Sequence, residues 1–289
     1  MRSVVAFAVT LAALFGAAVA VGGAIGPEPR RERAPARHGA AMTMTGEGHG
    51  AHDAAAASPH GLASADGGLR LVVATPELAR GRAQTLRFRI VDAHDRPVRA
   101  FERTHERRMH AIVVRRDLTG FRHLHPQMAR DGTWSVPLRL DAAGSYRVYA
   151  DFRHDGEATT LASDLRVDGA ADLLPLPAPR TTAHSDGGDT VRLDADAPRA
   201  GRETTVRFSV ARGGEPVALA PYLGAAGHLV TLREGDLAFL HVHPQDSARA
   251  DGRATFAATF PSAGRYRLFL QYRTGAHVRT AAFTMEVKP

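Results

Sequence analysis

The residues best suited to chemistry are six histidines in two matching sets. The first is His110, His123 and His125. The second is His228, His241 and His243, each 118 residues after its counterpart. Two imidazoles one residue apart on a strand leave the same face, and a third placed opposite on the next strand comes within about 5 Å at Cβ. Converging imidazoles are ligands for copper or zinc. The chain has no cysteine, which excludes disulfides, thiolate sites and a nucleophilic thiol. Any metal must then be held by His, Met, carboxylate or backbone. Met109 and Met128 stand near the first set, where Gly227 and Asp246 stand near the second. Thioether with imidazole suits Cu(I), and carboxylate with imidazole suits Cu(II) or Zn(II). The expectation is therefore one metal patch per repeat. His110, His123 and His125 with Met109 and Met128 make the first, and His228, His241 and His243 make the second. Copper is the expected ion and zinc the alternative.

Strands and turns must position these rings. Gly235-Asp236 is a good hairpin turn, and a hairpin centred there puts His228 opposite His243. In the first repeat, Asp117-Leu118-Thr119-Gly120 could instead form a three-residue loop with a glycine bulge, which would turn His110 to the other face. A shared fold favours one register for both. Leu124 and Val242 alternate with the histidines and should face the core.

The repeat extends well beyond the histidines. Phe121, Pro126 and Gln127 match Phe239, Pro244 and Gln245 at the same offset, and Ala143-Gly144-Ser145-Tyr146-Arg147 matches Ala263-Gly264-Arg265-Tyr266-Arg267 at an offset of 120. Each copy reads as about seven short strands with turn residues roughly every ten positions, the pattern of an immunoglobulin-like sandwich. The fold class expected is all-β, with two tandem immunoglobulin-like β-sandwich repeats at 69–168 and 188–289, joined by a proline-rich linker at 169–187. Trp134 and the tyrosines Tyr146, Tyr149 and Tyr266 read as packing residues. His94, His105 and His184 lie in polar stretches and should be exposed.

Ahead of the repeats, Val4 to Ile25 is an apolar run long enough to cross a bilayer, and Ala18-Val19-Ala20 suits signal peptidase. Residues 1–26 are either a cleaved signal or a retained membrane anchor, and the remainder is expected outside the cytoplasm; Arg30, Arg31, Arg33 and Arg37 after the run would favour a cytoplasmic C-terminal side if the helix stayed, a conflict that cleavage eases. Residues 27–68 read as a disordered tether carrying His38, Met42, Met44, His49, His52 and His60, a composition that binds copper-like ions. The net charge of +7 comes from arginines scattered among acids, with Lys288 the only lysine. No basic block with interleaved aromatics appears, so nucleic acid is not an expected partner.

The stretch Pro221-Tyr222-Leu223-Gly224-Ala225-Ala226-Gly227-His228, with Leu240-His241-Val242-His243-Pro244 and Gly264-Arg265-Tyr266-Arg267-Leu268, resembles the YtkA-like bacterial secreted or membrane-anchored group. The resemblance covers the second repeat well and the first more loosely. It implies an immunoglobulin-like sandwich outside the cytoplasm. A His/Met-rich tether before a β-sandwich is also similar in style to CopC-like periplasmic copper carriers. Cupins use His-x-His too, but their Glu three to four residues on is missing after both His125 and His243. No general base recurs in both repeats, so catalysis is not expected. Two functions remain: extracytoplasmic metal sequestration or relay, or a non-catalytic interaction module without metal.

Overall fold

The structure, a computed structural model, describes residues 60–240, 242–245 and 251–289. The apolar run, the tether residues before His60, His241 and Asp246 lie outside the described residues. The first repeat runs through β1 (Ala65–Asp66), β2 (Leu69–Val73), β3 (Glu77–Leu78), β4 (Gln84–Val91), β5 (His110–Arg115), β6 (Arg122–Leu124), β7 (Gln127–Met128), β8 (Trp134–Leu138), β9 (Gly144–His154) and β10 (Glu157–Val167). The second runs through β11 (Thr182–His184), β12 (Thr190–Ala195), β13 (Glu203–Arg212), β14 (Glu215–Pro216), β15 (His228–Arg233), β16 (Phe239–Leu240), β17 (Val242–Pro244), β18 (Arg253–Thr259), β19 (Gly264–Thr274) and β20 (His277–Val287).

Each repeat is a two-sheet sandwich. In the first, β1-β2-β4-β8-β7 faces β3-β10-β9-β5-β6; in the second, β11-β12-β13-β18-β17 faces β16-β15-β19-β20. This is the immunoglobulin-like strand order, with β3 lying parallel on β10. Side-chain alternation drives it. In β4, Leu86, Phe88 and Ile90 are buried and Arg87 and Arg89 are exposed. Tyr146 donates to the Ala142 carbonyl and Tyr266 to the Ser262 carbonyl, both at 2.9 Å, the same tyrosine corner in each copy. Trp134 is in the first core, as expected.

The hairpins share one register. Val113 lies opposite Arg122 and, one repeat later, Thr231 opposite Leu240. The second hairpin does not run on to His243, however. The chain crosses to the other sheet, where β17 pairs with β18 and His243 lies opposite Ala257, exposed. The sandwiched segments are also longer than the sequence implies. Within the stretch read as tether, β1 pairs with β2, and Gly61 and Ala63 bond to β10 while His60 bridges to Phe239. Thr182–His184, read as linker, adds to β12 as an edge strand.

Strand β5 is buried on both faces. Ala111 and Val113 enter the core of the first sandwich, whereas Ile112 and Val114 enter a separate apolar cluster with Val230, Leu232, Phe239 and Phe269 of the second. The β10-β9-β5 face therefore packs on the β15-β19-β20 face. Phe121 stacks on Phe269 with centroids 4.1 Å apart, and Phe239 lies 5.6 Å from Tyr149. Phe121 and Phe239 are repeat counterparts, as are Tyr149 and Phe269, so the two contacts exchange about an approximate two-fold axis, as in an isologous dimer. Tyr149 also donates to the Leu237 carbonyl and Arg147 to that of Asp236.

Candidate metal centre

On β5, the face that carries Ile112 and Val114 toward the second sandwich also carries His110. His123, opposite Ile112 on β6, leaves the same side. His228 starts β15 and comes from the facing sheet. Among the described residues the result is one cluster, at the junction of the sandwiches; His241, one of the three residues expected to form a patch in the second repeat, lies outside them. His110, His123 and His228 each place a ring nitrogen within 4.8 Å of the others. His110 and His228, repeat counterparts, stack at 5.6 Å with planes 9° apart. His125 lies 5.3 Å from His110 and 4.8 Å from His123, ring to ring.

The expected methionines are elsewhere, and adjacency explains why. Met109 precedes His110 on an extended chain and points the opposite way, into the first core; Met128, on β7 of the other sheet, packs against that same core. They leave an all-imidazole donor set. His105, expected to be exposed, is instead half-buried, 5.6 Å from His228 and 6.2 Å from His110. His94 and His184 are exposed as expected.

The hydrogen bonds fix which nitrogens are bare. His110 Nε2 lies 3.0 Å from the Thr104 carbonyl, which only accepts, so Nε2 carries the hydrogen and Nδ1 has a free lone pair. His123 Nδ1 lies 2.6 Å from Gln271 Oε1 and donates to it in that amide orientation, leaving Nε2 bare. The two bare nitrogens face each other at 2.9 Å. Lone pairs at that distance repel, and a shared proton or a metal ion relieves the repulsion. Ligand nitrogens about 2.0 Å from a tetrahedral metal are about 3.3 Å apart, within a few tenths of an ångström of this spacing. A ring whose second nitrogen is held by a carbonyl or amide oxygen is also the usual support for a metal-bound histidine. His125 Nε2 is also shielded from solvent and has no hydrogen-bond partner.

Cross-strand neighbours tune the charge. His110 sits opposite Asp151, and its counterpart His228 opposite Gln271. Asp151 accepts from Thr160 at 2.8 Å and favours positive charge on His110 and His123. Gln271 orients His123 without adding charge.

The profile of a domain of unknown function, DUF8832, matches residues 63–169 and again 182–289. The chain belongs to the DUF8832 family. Each DUF8832 copy coincides with one sandwich, so the cluster draws its rings from both copies. No curated protein matches the chain. Among solved structures, the Escherichia coli adhesin FdeC is 16% identical, with 76% of this chain and 64% of that one covered and a TM-score of 0.26. Yersinia pseudotuberculosis InvD is 14% identical over 77% of this chain and 58% of that one, with a TM-score of 0.26. Salmonella alpha-2-macroglobulin is 15% identical over 80% and 15%, with a TM-score of 0.28. This DUF8832 chain thus spans less than two thirds of each. The fold assignment rests on the strand order.

Burial governs titration in this DUF8832 cluster. Burial, then the neighbouring rings of His110 and His125, push His123 down to about 3. Burial, then His110 and Arg107, push His125 down to about 4. His110 is lowered by burial against the opposing pull of the Thr104 carbonyl and Asp151; burial, then the surrounding histidines, lower His228. All four rings are neutral near pH 7, as metal ligation requires. Below the ordinary histidine value of about 6.5, the unfolded chain takes up protons that the folded chain refuses. Stability is therefore full above that pH and falls as pH drops toward 3–4. The expected slope is at most about 1.4 kcal/mol per pH unit for each histidine, less where a ring reaches solvent. Urea unfolding between pH 7.5 and 4.5 measures it, and His123→Gln should flatten the profile. An unchanged profile would show that the rings titrate as they do in solvent.

Proposed function

We propose that this protein binds one late first-row transition-metal ion, copper(II) or zinc(II), at the junction of its two sandwiches, for sequestration or relay outside the cytoplasm. The carrying observation is the trio of ring nitrogens from both repeats within 4.8 Å of one another. The all-imidazole donor set supports Cu(II) or Zn(II) over thioether-favoured Cu(I). An extracytoplasmic place belongs to the same proposal, supported by the apolar N-terminal run and the resemblance to YtkA-like secreted proteins.

Calorimetric titration of the tag-free full chain with each ion is the test. One ion per chain at sub-micromolar affinity is expected. A second reading, a metal-free tandem interaction module, is favoured by the protein partners that His110 Nε2 and His123 Nδ1 already have. A chain that takes up neither ion would leave that reading standing.

A further inference from the structure

We infer that His105 is an entry ligand, taking a metal ion from solvent and passing it to the His110, His123 and His228 trio; this rests on the metal-binding reading above. Thr104 and Arg107 exchange two backbone hydrogen bonds, Thr104 N to Arg107 O at 2.7 Å and Arg107 N to Thr104 O at 3.1 Å. His105 and Glu106 between them have φ of 50° and 63°. This is a two-residue turn with both central residues left-handed, where Asn-Gly or Gly-Gly is the comfortable choice. Tyr222 and Ala225 close the same turn in the second repeat, with Leu223 and Gly224 at φ of 56° and 83°.

The counterparts differ in what they present. Leu223 is buried, an apolar plug, and Gly224 meets the backbone demand without strain. The first repeat keeps the backbone shape but places an imidazole and a strained Glu there. Strained turns held in place by their surroundings are frequent at binding sites. Here the same turn supplies the Thr104 carbonyl that holds His110, and it carries the His105 ring to 5.6 Å from His228.

Position argues for transfer rather than fixed ligation. His105 is half-buried at the margin and is not part of the trio whose nitrogens lie within 4.8 Å. Arg107, exposed on the same turn, opposes the approach of a bare cation. An imidazole at the rim can capture the ion there. Each step exchanges one metal–nitrogen or metal–water bond for another, with no electron transferred.

Stopped-flow mixing of the full chain with cobalt(II), whose visible bands report its ligands, tests this. His105→Leu installs the residue that the matching turn already carries, and thermal unfolding checks that it folds. Both uptake and release to a chelator should slow by about tenfold, with spectrum and equilibrium affinity unchanged. His105→Asp, a ligand that tolerates left-handed backbone, should restore the rates. Unchanged rates in His105→Leu would overturn the inference. So would a loss of affinity with an altered spectrum, which would make His105 a fixed ligand. If the unaltered chain takes up no cobalt, zinc or copper, the metal-binding reading itself fails, a result separate from both.

Discussion

His123→Ala is expected to weaken Zn(II) or Cu(II) binding by more than about 100-fold, beyond the loss seen when only a supporting partner is removed. His123 gives the bare nitrogen that faces His110 at 2.9 Å, and its removal leaves two rings too few to hold an ion against chelation by buffer. His228→Ala should cost as much, although it lies in the other repeat, because the trio needs a ring from each sandwich. His243→Ala should change nothing, since His243 is exposed on β17 in a different sheet. Met109→Leu should leave affinity intact, since the side chain is in the first core. Competition against a chromophoric chelator reads all four. Two ions per chain, or wild-type affinity in His228→Ala, would restore the picture of a separate patch in each repeat.

Much of the fold is legible in the sequence because period-two alternation and recurring turns report local structure. The stretches 84–91, 145–152 and 158–167 lie within β4, β9 and β10. The hairpin register is legible for the same reason, since a slip would put His110 on the core side. The meeting of the two sandwiches is not local, and only indirect signs of it exist. His110-Ala-Ile-Val-Val-Arg115 lacks the alternation of a half-buried strand; such a run marks a sheet covered on both sides. That sign points to a partner face but does not name it. That Met109 faces away from His110, into the core, is legible in the sequence, because adjacent strand residues face opposite ways. The place of His105 beside His228 and His110 is hidden in the sequence by the polar stretch around it. Its signal was alignment with Leu223 in the Pro-Tyr-Leu-Gly turn, visible once the two turns are compared as backbone shapes.

Phe269→Ala is expected to destabilise the protein by about 3–5 kcal/mol, the cost of deleting a buried aromatic. Phe269 is 3% exposed, stacks on Phe121 and belongs to the cluster that joins the sandwiches. Within its own sheet it sits opposite Val230, two residues along β19 from the Gln271 that holds His123. The cavity therefore opens beside the junction that brings His228 to His110 and His123, and metal affinity should fall with stability. A bound ion needs the sandwiches docked, so saturating metal should recover part of the loss, as a ligand specific to the folded state does. Phe121→Ala combined with Phe269→Ala should cost less than the two separate losses, because each removes the same stack. Denaturant unfolding of the two single variants and the double, with and without Zn(II), gives the whole cycle. Full additivity, or a Phe269→Ala loss below about 1 kcal/mol, would mean that the sandwiches do not depend on this face for their stability. The inter-repeat site would then lose the scaffold that positions it.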